Sequence, residues 1–185
     1  MSFSHALASD WPMDAVDLTD FRVGMRAWAS GVTVLTTCAG DTRGGLTATA
    51  MCSLSAEPPR LLACVNQRGP TFALMRQAGH LSVNVLAEGQ ADIAACFAGM
   101  NAVADRFTVG AWRPGGYKGD PVLGDALCTF ECAIAEIVDA VSHGLIIADI
   151  KAVHVTASAR PLLYADGRFS KLEDDFFDPR HGYYF

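Results

Sequence analysis

Small and hydroxylated side chains fill residues 45–55, between two apolar runs at 32–37 and 61–65. A strand normally carries bulky side chains, because their packing stabilises the sheet. A strand of Thr, Ala and Ser instead leaves room for a flat ligand. It also offers hydroxyl and backbone N–H groups that can bond to that ligand. A Thr-rich edge strand would have the same composition, so both interpretations stay open at this point.

Further polar groups follow this stretch. Thr47 and Thr49 offer hydroxyls, and Asn66, after a buried strand, can both donate and accept. Residues 69–71 begin a helix, and helix N-termini bind phosphate through unpaired N–H groups and the helix dipole, although an ordinary helix cap would look the same. His143 lies in a tight turn between two long strands, where it serves the chemistry or makes a local bond. These groups suit the binding of a cofactor that carries the chemistry itself.

Other kinds of site have no support in the sequence. It contains no Gly-x-Gly-x-x-Gly after a strand, no phosphate-binding P-loop, no His-Glu-x-x-His and no Gly-x-Ser-x-Gly. The five histidines have no ligand spacing, and we expect Glu131 and Asp149 at the surface. Six cysteines without a Cys-x-x-Cys pair are interpreted as thiols and small buried side chains, with no metal site. They are Cys38, Cys52, Cys64, Cys96, Cys128 and Cys132.

Composition limits the class of protein. A chain of 185 residues suits one domain. Charged residues make up 18%, against the usual share of roughly 25%, which favours a surface that is covered by a second copy in a homodimer. The net charge of −6 without a basic run argues against nucleic acid. Neither a membrane-spanning run nor a signal peptide is apparent, so we expect a cytoplasmic protein that does not bind membranes.

The pattern predicts a domain over 17–172, between a flexible arm at 1–16 and a tail at 173–185. Residues 99–121, rich in glycine, are predicted to form a long loop. Most successive strands are joined by turns, which favours an antiparallel barrel closed on itself. Helices are predicted at 21–29, after capping side chains at 17–20, and at 72–78 and 90–97. Residues 45–55 are predicted to hold one strand and the turn after it, and further strands are predicted at 32–37, 61–66, 81–86, 127–141, 145–155 and 161–164.

Ten segments between residues 20 and 165 resemble, in the same order, the flavin reductase family with the FMN-binding split-barrel fold. These are the small partners of two-component flavin monooxygenases. The segments are 31–37 (GVTVLTT), 45–50 (GLTATA), 53–59 (SLSAEPP), 64–67 (CVNQ), Phe72, 81–86 (LSVNVL), 105–107 (DRF), 119–123 (GDPVL), 131–132 (EC) and 161–164 (PLLY). The resemblance implies a mainly β, antiparallel split barrel with a few short flanking helices.

The resemblance also implies an activity and a site. It predicts a homodimeric NAD(P)H-dependent flavin reductase that transfers hydride to FMN or FAD and supplies a partner monooxygenase. The flavin ring would lie on 46–50, its ribityl and phosphate would meet Ser53, 64–66 and 69–71, and His143 would act at the nicotinamide. The predicted cofactor-binding residues are Gly45, Leu46, Thr47, Thr49, Ala50, Ser53, Cys64, Val65, Asn66, Arg68, Gly69 and Thr71.

Two motifs depart from the family pattern. Ser142 stands where the family's Gly-Asp-His turn has an acid, which puts any role for a carboxylate there in doubt. The phosphate loop, of Ser-Ser-x-Thr type in the family, reads Arg-Gly-Pro-Thr at 68–71, so Arg68 would supply the charge. Two alternatives to flavin reduction stay open. One is a flavin-containing reductase of a metal complex, such as a ferric chelate or a corrinoid, and the other is a non-catalytic FMN-binding module.

Overall fold

The structure is a computed structural model that describes residues 16–101, 103–156 and 160–172. The predicted tail at 173–185, and the predicted arm apart from Val16, lie outside the described residues. No helix in the described ranges is long and apolar enough to cross a membrane.

Three helices occur close to the predicted positions: α1 (Leu18–Arg26), α2 (Pro70–Ala78) and α3 (Ala91–Phe97). Helix α1 begins within the predicted capping segment, where the Asp17 carboxylate accepts a hydrogen bond of 2.6 Å from the Thr19 N–H and caps the first turn. Helix α2 ends as predicted at Gly79, whose φ of +73° is the left-handed conformation that glycine adopts without strain.

The described residues form twelve strands rather than the seven predicted. They are β1 (Ser30–Gly31), β2 (Thr33–Ala39), β3 (Thr42–Ala48), β4 (Met51–Ala56), β5 (Pro59–Asn66), β6 (His80–Val85), β7 (Trp112–Pro114), β8 (Pro121–Leu123), β9 (Cys128–Ala140), β10 (His143–Val155), β11 (Leu162–Ala165) and β12 (Arg168–Lys171). Seven of them form one antiparallel sheet in the order β3-β2-β6-β9-β10-β5-β4. The others form two small sheets, β1-β11-β12 and β7-β8.

Residues 45–55 were predicted as one strand and the turn after it, but the structure continues them into a second strand. Strand β3 pairs with β2, opposing Ala48 to Thr33, whereas β4 pairs with β5, opposing Met51 to Ala63. Strands β3 and β4 are therefore the two edges of the seven-stranded sheet, and only Thr49 and Ala50 link them. Such a short link requires the sheet to curl until its edges meet. The Cys64 N–H of β5 donates to the Ala50 carbonyl at 2.8 Å and so extends the β4–β5 pairing to this link. The barrel closes on the other side of the link, where β3 contacts β5.

Two hydrophobic clusters pack on the two faces of this curled sheet. The inner cluster combines residues from across the sheet, such as Leu35 and Ala63, with Phe72 and Met75 of α2, which closes one end of the barrel. The outer cluster packs α3 against β2. Its members are Val32, Val34, Leu86, Ile93, Ala94, Cys96, Phe97, Leu123, Ala126 and Leu162.

Residues 99–121 hold more structure than the predicted long loop. They contain one turn of 3₁₀ helix (Arg106–Thr108), all of β7 and the first residue of β8. Phe97, Phe107 and Trp112 stack edge-on or tilted, with ring centroids 5.1–5.3 Å apart. Contacts between aromatic rings at this distance are stabilising. The segment is thus a loop with short regular elements, and these rings anchor it to α3.

Two buried carboxylates, those of Glu131 and Asp120, hold the end of the 99–121 segment in place. The expectation that Glu131 lies at the surface was therefore wrong. Glu131 is 1% exposed; it accepts from the Tyr117 N–H at 2.7 Å and lies 3.0 Å from His154 Nε2. Asp120 is 2% exposed and contacts His80 Nδ1 at 2.8 Å. Asp149 is half-buried and pairs with Arg60 at 2.7 Å.

Glu131 gives the fold a pH-dependent stability. Burial raises the pKa of Glu131, but the N–H groups of Tyr117 and Gly116 and the His154 ring lower it below the ordinary value of 4.5. The unfolded chain therefore binds this proton more readily, and the stability from Glu131 is present above that value and lost as pH falls through the folded pKa. We expect Glu131→Gln to lower the free energy of unfolding at pH 7 by about 1–3 kcal/mol.

The measurement is urea unfolding of the parent and Glu131→Gln from pH 7 to pH 3. The difference between the two proteins should shrink below pH 4.5. Glu136→Gln, an exposed site on the same strand, is the matched control and should follow the parent. A difference that stays constant across this range would contradict the role of the Glu131 charge.

Candidate functional site

A cavity of about 590 Å³, the central cavity, opens where the two edges of the curled sheet meet. It is bounded by the end of β3, the link to β4, the end of β5 with its following turn, the end of α3 and the start of β10. Its lining residues are Leu46, Thr47, Ala48, Thr49, Ala50, Cys64, Val65, Asn66, Arg68, Gly69, Phe97, Ala98 and His143. The structure thus gathers ten of the thirteen predicted site residues around one cavity.

Two threonines line this cavity, but they differ in what they can offer a ligand. The Thr47 hydroxyl donates to the Ala94 carbonyl at 2.7 Å, so its proton holds α3 against β3. Thr49 is half-buried and makes no hydrogen bond with any residue in the described ranges. A half-buried residue without partners keeps both its N–H and its hydroxyl available. Thr49 is therefore the stronger candidate for contacting a ligand, whereas Thr47 holds α3 in place against β3.

The turn after β5 is rigid and carries a positive charge. Asn66 Oδ1 accepts from the Arg68 N–H at 2.9 Å, and Gln67 Nε2 donates to the His143 carbonyl at 3.0 Å. These bonds fix the turn against the start of β10. The Arg68 guanidinium is exposed and has no carboxylate partner among residues 16–101, 103–156 and 160–172. Among the described lining residues, Arg68 is the only Lys or Arg, and none carries a carboxylate.

The first turn of α2 lies beside Arg68. Gly69 is the N-cap, no side chain caps the turn, and Pro70 occupies the first helical position. Uncapped N–H groups and the positive end of the helix dipole attract anions. Together with Arg68, they make this edge of the central cavity suited to a phosphate group.

His143 begins β10 on the same side of the cavity. It pairs with Asn66 across the ladder, and its Nδ1 lies 2.9 Å from the Ser142 hydroxyl. Ser142 thus contacts the imidazole from the position where the family has an acid. Gly144 fixes the position of this strand end, because a Cβ there would overlap the Phe72 ring of α2. The ring of His143 is therefore oriented by a neutral hydroxyl.

Three predicted site residues lie outside the central cavity. The Thr71 hydroxyl donates to the Gly45 carbonyl at 3.2 Å, so these two residues join α2 to β3 and both line a neighbouring cavity. Gly45 also lets Phe97 pack closely, since a Cβ there would lie 2.6 Å from that ring. Ser53 is exposed on β4 and pairs with Leu61. The proton of the Thr71 hydroxyl is therefore already used within the fold, and a phosphate contact of Thr71 stays a prediction.

The sequence analysis missed one wall of the central cavity and an adjoining cavity. Phe97 and Ala98, at the end of α3, complete the central cavity. An adjoining cavity of about 610 Å³, the α1 cavity, shares Thr49, Ala50 and Cys64 with it. Its other lining residues are Met25, Trp28, Ala29, Ser30, Gly31, Thr33, Met51, Cys52, Leu62 and Val85. A tryptophan left exposed at the end of an amphipathic helix was the available signal.

Comparison with known proteins agrees with this architecture. The pattern of the family described as "Flavin reductase like domain" matches residues 25–173. FMN reductase (NADH) RutF 1 of Methylorubrum extorquens is 39% identical over 157 residues, which cover 85% of this chain and 78% of that protein.

Two solved structures share the fold. The Streptomyces globisporus NADH:FAD oxidoreductase SgcE6, solved in complex with NAD and FAD fragments, has a TM-score of 0.78 and 28% identity, covering 88% of this chain and 98% of its own. The styrene monooxygenase flavin reductase of Pseudomonas putida S12 has a TM-score of 0.74 and 26% identity, covering 83% and 97%. The resemblance and the predicted fold are thus confirmed, and this chain belongs to the flavin reductase family, with its split-barrel fold.

Proposed function

We propose that this protein is an NAD(P)H-dependent flavin reductase that transfers hydride to FMN or FAD and supplies the reduced flavin to a separate monooxygenase. The observation that carries the proposal is the central cavity, where Thr49, Arg68 and His143 meet beside a floor of small side chains. The related proteins support it, because their names specify NADH with FMN or FAD and, for one of them, a monooxygenase.

The residues present fit a flavin. The cavity volume of about 590 Å³ falls within the range of roughly 300–1,000 Å³ that is typical of cofactor sites. The small side chains of Thr49 and Ala50 leave space for a flat ring in the cavity. Thr49 and Asn66 supply neutral hydrogen-bond donors for the polar edge of that ring. Arg68 and the uncapped start of α2 suit its phosphate. The absence of carboxylates from the described lining suits a ligand that carries negative charge.

Each residue then has a physical task. When bound, the flavin supplies the redox chemistry, because its ring accepts a hydride from a reduced nicotinamide. The chain positions the two reactants, and this raises the rate strongly when two rings must meet face to face. Thr49 would donate to the ring edge, and Arg68 and the start of α2 would hold the phosphate. His143, oriented by Ser142, would contact the nicotinamide.

Thr49 gives the sharpest test of where the ring lies. Thr49→Leu adds bulk to the cavity floor and removes the hydroxyl. Overpacking a tight site costs about 1–3 kcal/mol, so flavin affinity should fall roughly tenfold or more. Fluorescence titration with FMN measures this, and Thr49→Ser, which keeps the hydroxyl, should bind nearly as well as the parent. If Thr49→Leu binds FMN as tightly as the parent, the ring does not lie on this link.

His143 tests the reaction itself. In anaerobic stopped-flow mixing, NADH should bleach the visible absorbance of flavin bound to the parent. His143→Ala should keep its flavin affinity but need more NADH or show a lower limiting rate, because the nicotinamide loses a contact. Ser142→Ala removes only the orienting hydroxyl, so its NADH requirement and limiting rate should lie between those of the parent and those of His143→Ala.

Two results would count against these assignments. Unchanged apparent affinity and limiting rate in His143→Ala would leave this residue with a local bond only. A parent that binds flavin without oxidising NADH would support a non-catalytic flavin-binding module.

The exposed apolar face of α1 supports a homodimer as part of the proposal. No residue of α1 is buried, and Phe21, Met25 and the adjacent Trp28 remain 52–70% exposed. A monomer would leave these side chains in water, whereas a second copy would cover them. Because Met25 and Trp28 also line the α1 cavity, the partner would help to close the site.

Sedimentation should give about twice the chain mass of 19.7 kDa at micromolar concentration. Trp28→Ser, which removes the most exposed of these side chains, should shift the equilibrium toward monomer because it loses apolar area. The control is Val155→Ser, an exposed apolar position at the far end of β10. A monomeric parent that still turns over NADH would contradict the dimer.

A further inference from the structure

The hairpin turn that brings His143 to the central cavity contains a strained residue. Strands β9 and β10 are joined by Val141 and Ser142, and Val141 has a φ of +61°. Such a loop favours glycine where φ is positive, because a side chain in the left-handed region crowds the following carbonyl oxygen. Val141 is 98% exposed, so packing against the described residues does not offset this strain. Hydrogen bonds to the backbone must therefore hold the turn.

Asp139 and Gln67 supply these bonds. The Asp139 carboxylate accepts from the Val141 N–H at 3.1 Å and from Gln67 Nε2 at 3.2 Å. Gln67 Nε2 also donates to the His143 carbonyl at 3.0 Å, and the Gln67 N–H donates to the Ser142 carbonyl at 3.1 Å. Each residue from 141 to 143 is thus bonded through its backbone to one of these two side chains or to the turn after β5.

We propose that Asp139 is a positioning residue of the reaction, which acts with Gln67 to hold Val141 in its left-handed conformation and so places His143 at the central cavity. This inference rests on the proposed function, in which His143 contacts the nicotinamide. Neither Asp139 nor Gln67 lines the central cavity, so any effect of Asp139 on the reaction has to pass through the turn.

The departures of this turn from the Gly-Asp-His pattern explain why it needs such support. Glycine adopts a positive φ without strain, but here Val141 occupies the glycine position and Ser142 the acid position. Asp139 compensates for both changes, because it brings a carboxylate to the turn and a charged acceptor bonds an N–H more strongly than a neutral one. The ring of His143 keeps the Ser142 hydroxyl as its own partner.

The first test measures the turn in flavin-free protein. Amide hydrogen exchange, followed by NMR, reports on the Gln67 N–H, whose partner is the Ser142 carbonyl. Asp139→Ala should exchange this N–H about tenfold faster than the parent, because a turn without its carboxylate opens more often. Asp139→Asn, which keeps an oxygen acceptor, should lie between the two. Glu136→Ala, which removes an exposed carboxylate from the same strand, is the matched control and should exchange like the parent.

Val141→Gly tests whether strain is the reason for this support. Glycine removes the strain, so the turn should no longer depend on Asp139. In Asp139→Ala/Val141→Gly, exchange of the Gln67 N–H should therefore return to within about twofold of Val141→Gly alone. The matched control is Asp166→Gly, at the other non-glycine residue with a positive φ (+52°) in the described ranges, and it should not rescue Asp139→Ala.

The second test measures the reaction, by anaerobic stopped-flow reduction of bound flavin. The ratio of the limiting rate to the half-saturating NADH concentration should fall about threefold to tenfold in Asp139→Ala, as for the loss of one hydrogen bond. The FMN dissociation constant should stay within about twofold of the parent value, since Asp139 does not line the cavity. Because Asp139 acts through His143, adding Asp139→Ala to His143→Ala should cause no further loss.

Several outcomes would overturn the inference. These are parent-like exchange and kinetics in Asp139→Ala, losses that add fully to those of His143→Ala, or a double variant that Val141→Gly does not rescue. An equal effect of Glu136→Ala would also overturn it. A parent that binds flavin without oxidising NADH would instead contradict the proposed function, while hydrogen exchange would still show whether Asp139 holds the turn.

Discussion

The structure depends on one constraint, which is that two residues join the opposite edges of a seven-stranded sheet. Because only Thr49 and Ala50 separate β3 from β4, the sheet has to curl until its edges touch. The contact of β3 with β5, the neighbour of β4, shows this closure. The link belongs to neither strand, so Thr49 is left without hydrogen-bond partners among the described residues. The closure of the barrel and the floor of the central cavity thus have the same cause.

The sequence predicted the strands but not their change of partner. Apolar and β-branched runs identify β2, β5 and β6, because packing on a sheet selects such side chains locally. Residues 45–55 look like one strand and the turn after it, since composition does not change where the pairing passes from β2 to β5. Glu131 was misplaced for a similar reason. Its partners, Tyr117 and His154, lie 14 and 23 residues away and meet it only in the folded chain.

The candidate site was predictable where its residues are neighbours in the chain. Residues 46–50 and 64–69 each bring several lining residues, so short motifs identified them. Phe97 and Trp28 reach the two adjoining cavities only through the packing of helices, which no motif records. Thr71 is a case in which the sequence motif predicts too much. Its position at a helix start predicts a phosphate contact, but its hydroxyl already donates a hydrogen bond to the Gly45 carbonyl. Residue type alone does not reveal which polar groups the fold has already used.

Local charge explains how an acidic chain can hold an anionic ligand. The net charge is −6, but nearby carboxylates already have partners: Asp139 accepts from Gln67 at 3.2 Å, and Asp105 pairs with Arg43. Arg68 therefore faces the central cavity without competition from the described lining. Its guanidinium is exposed, and exposed charge pairs contribute only about 0–1 kcal/mol. Arg68 alone would therefore add little to the affinity for a phosphate, which fits the proposal that flavin here is a substrate that leaves in its reduced form rather than a permanent cofactor.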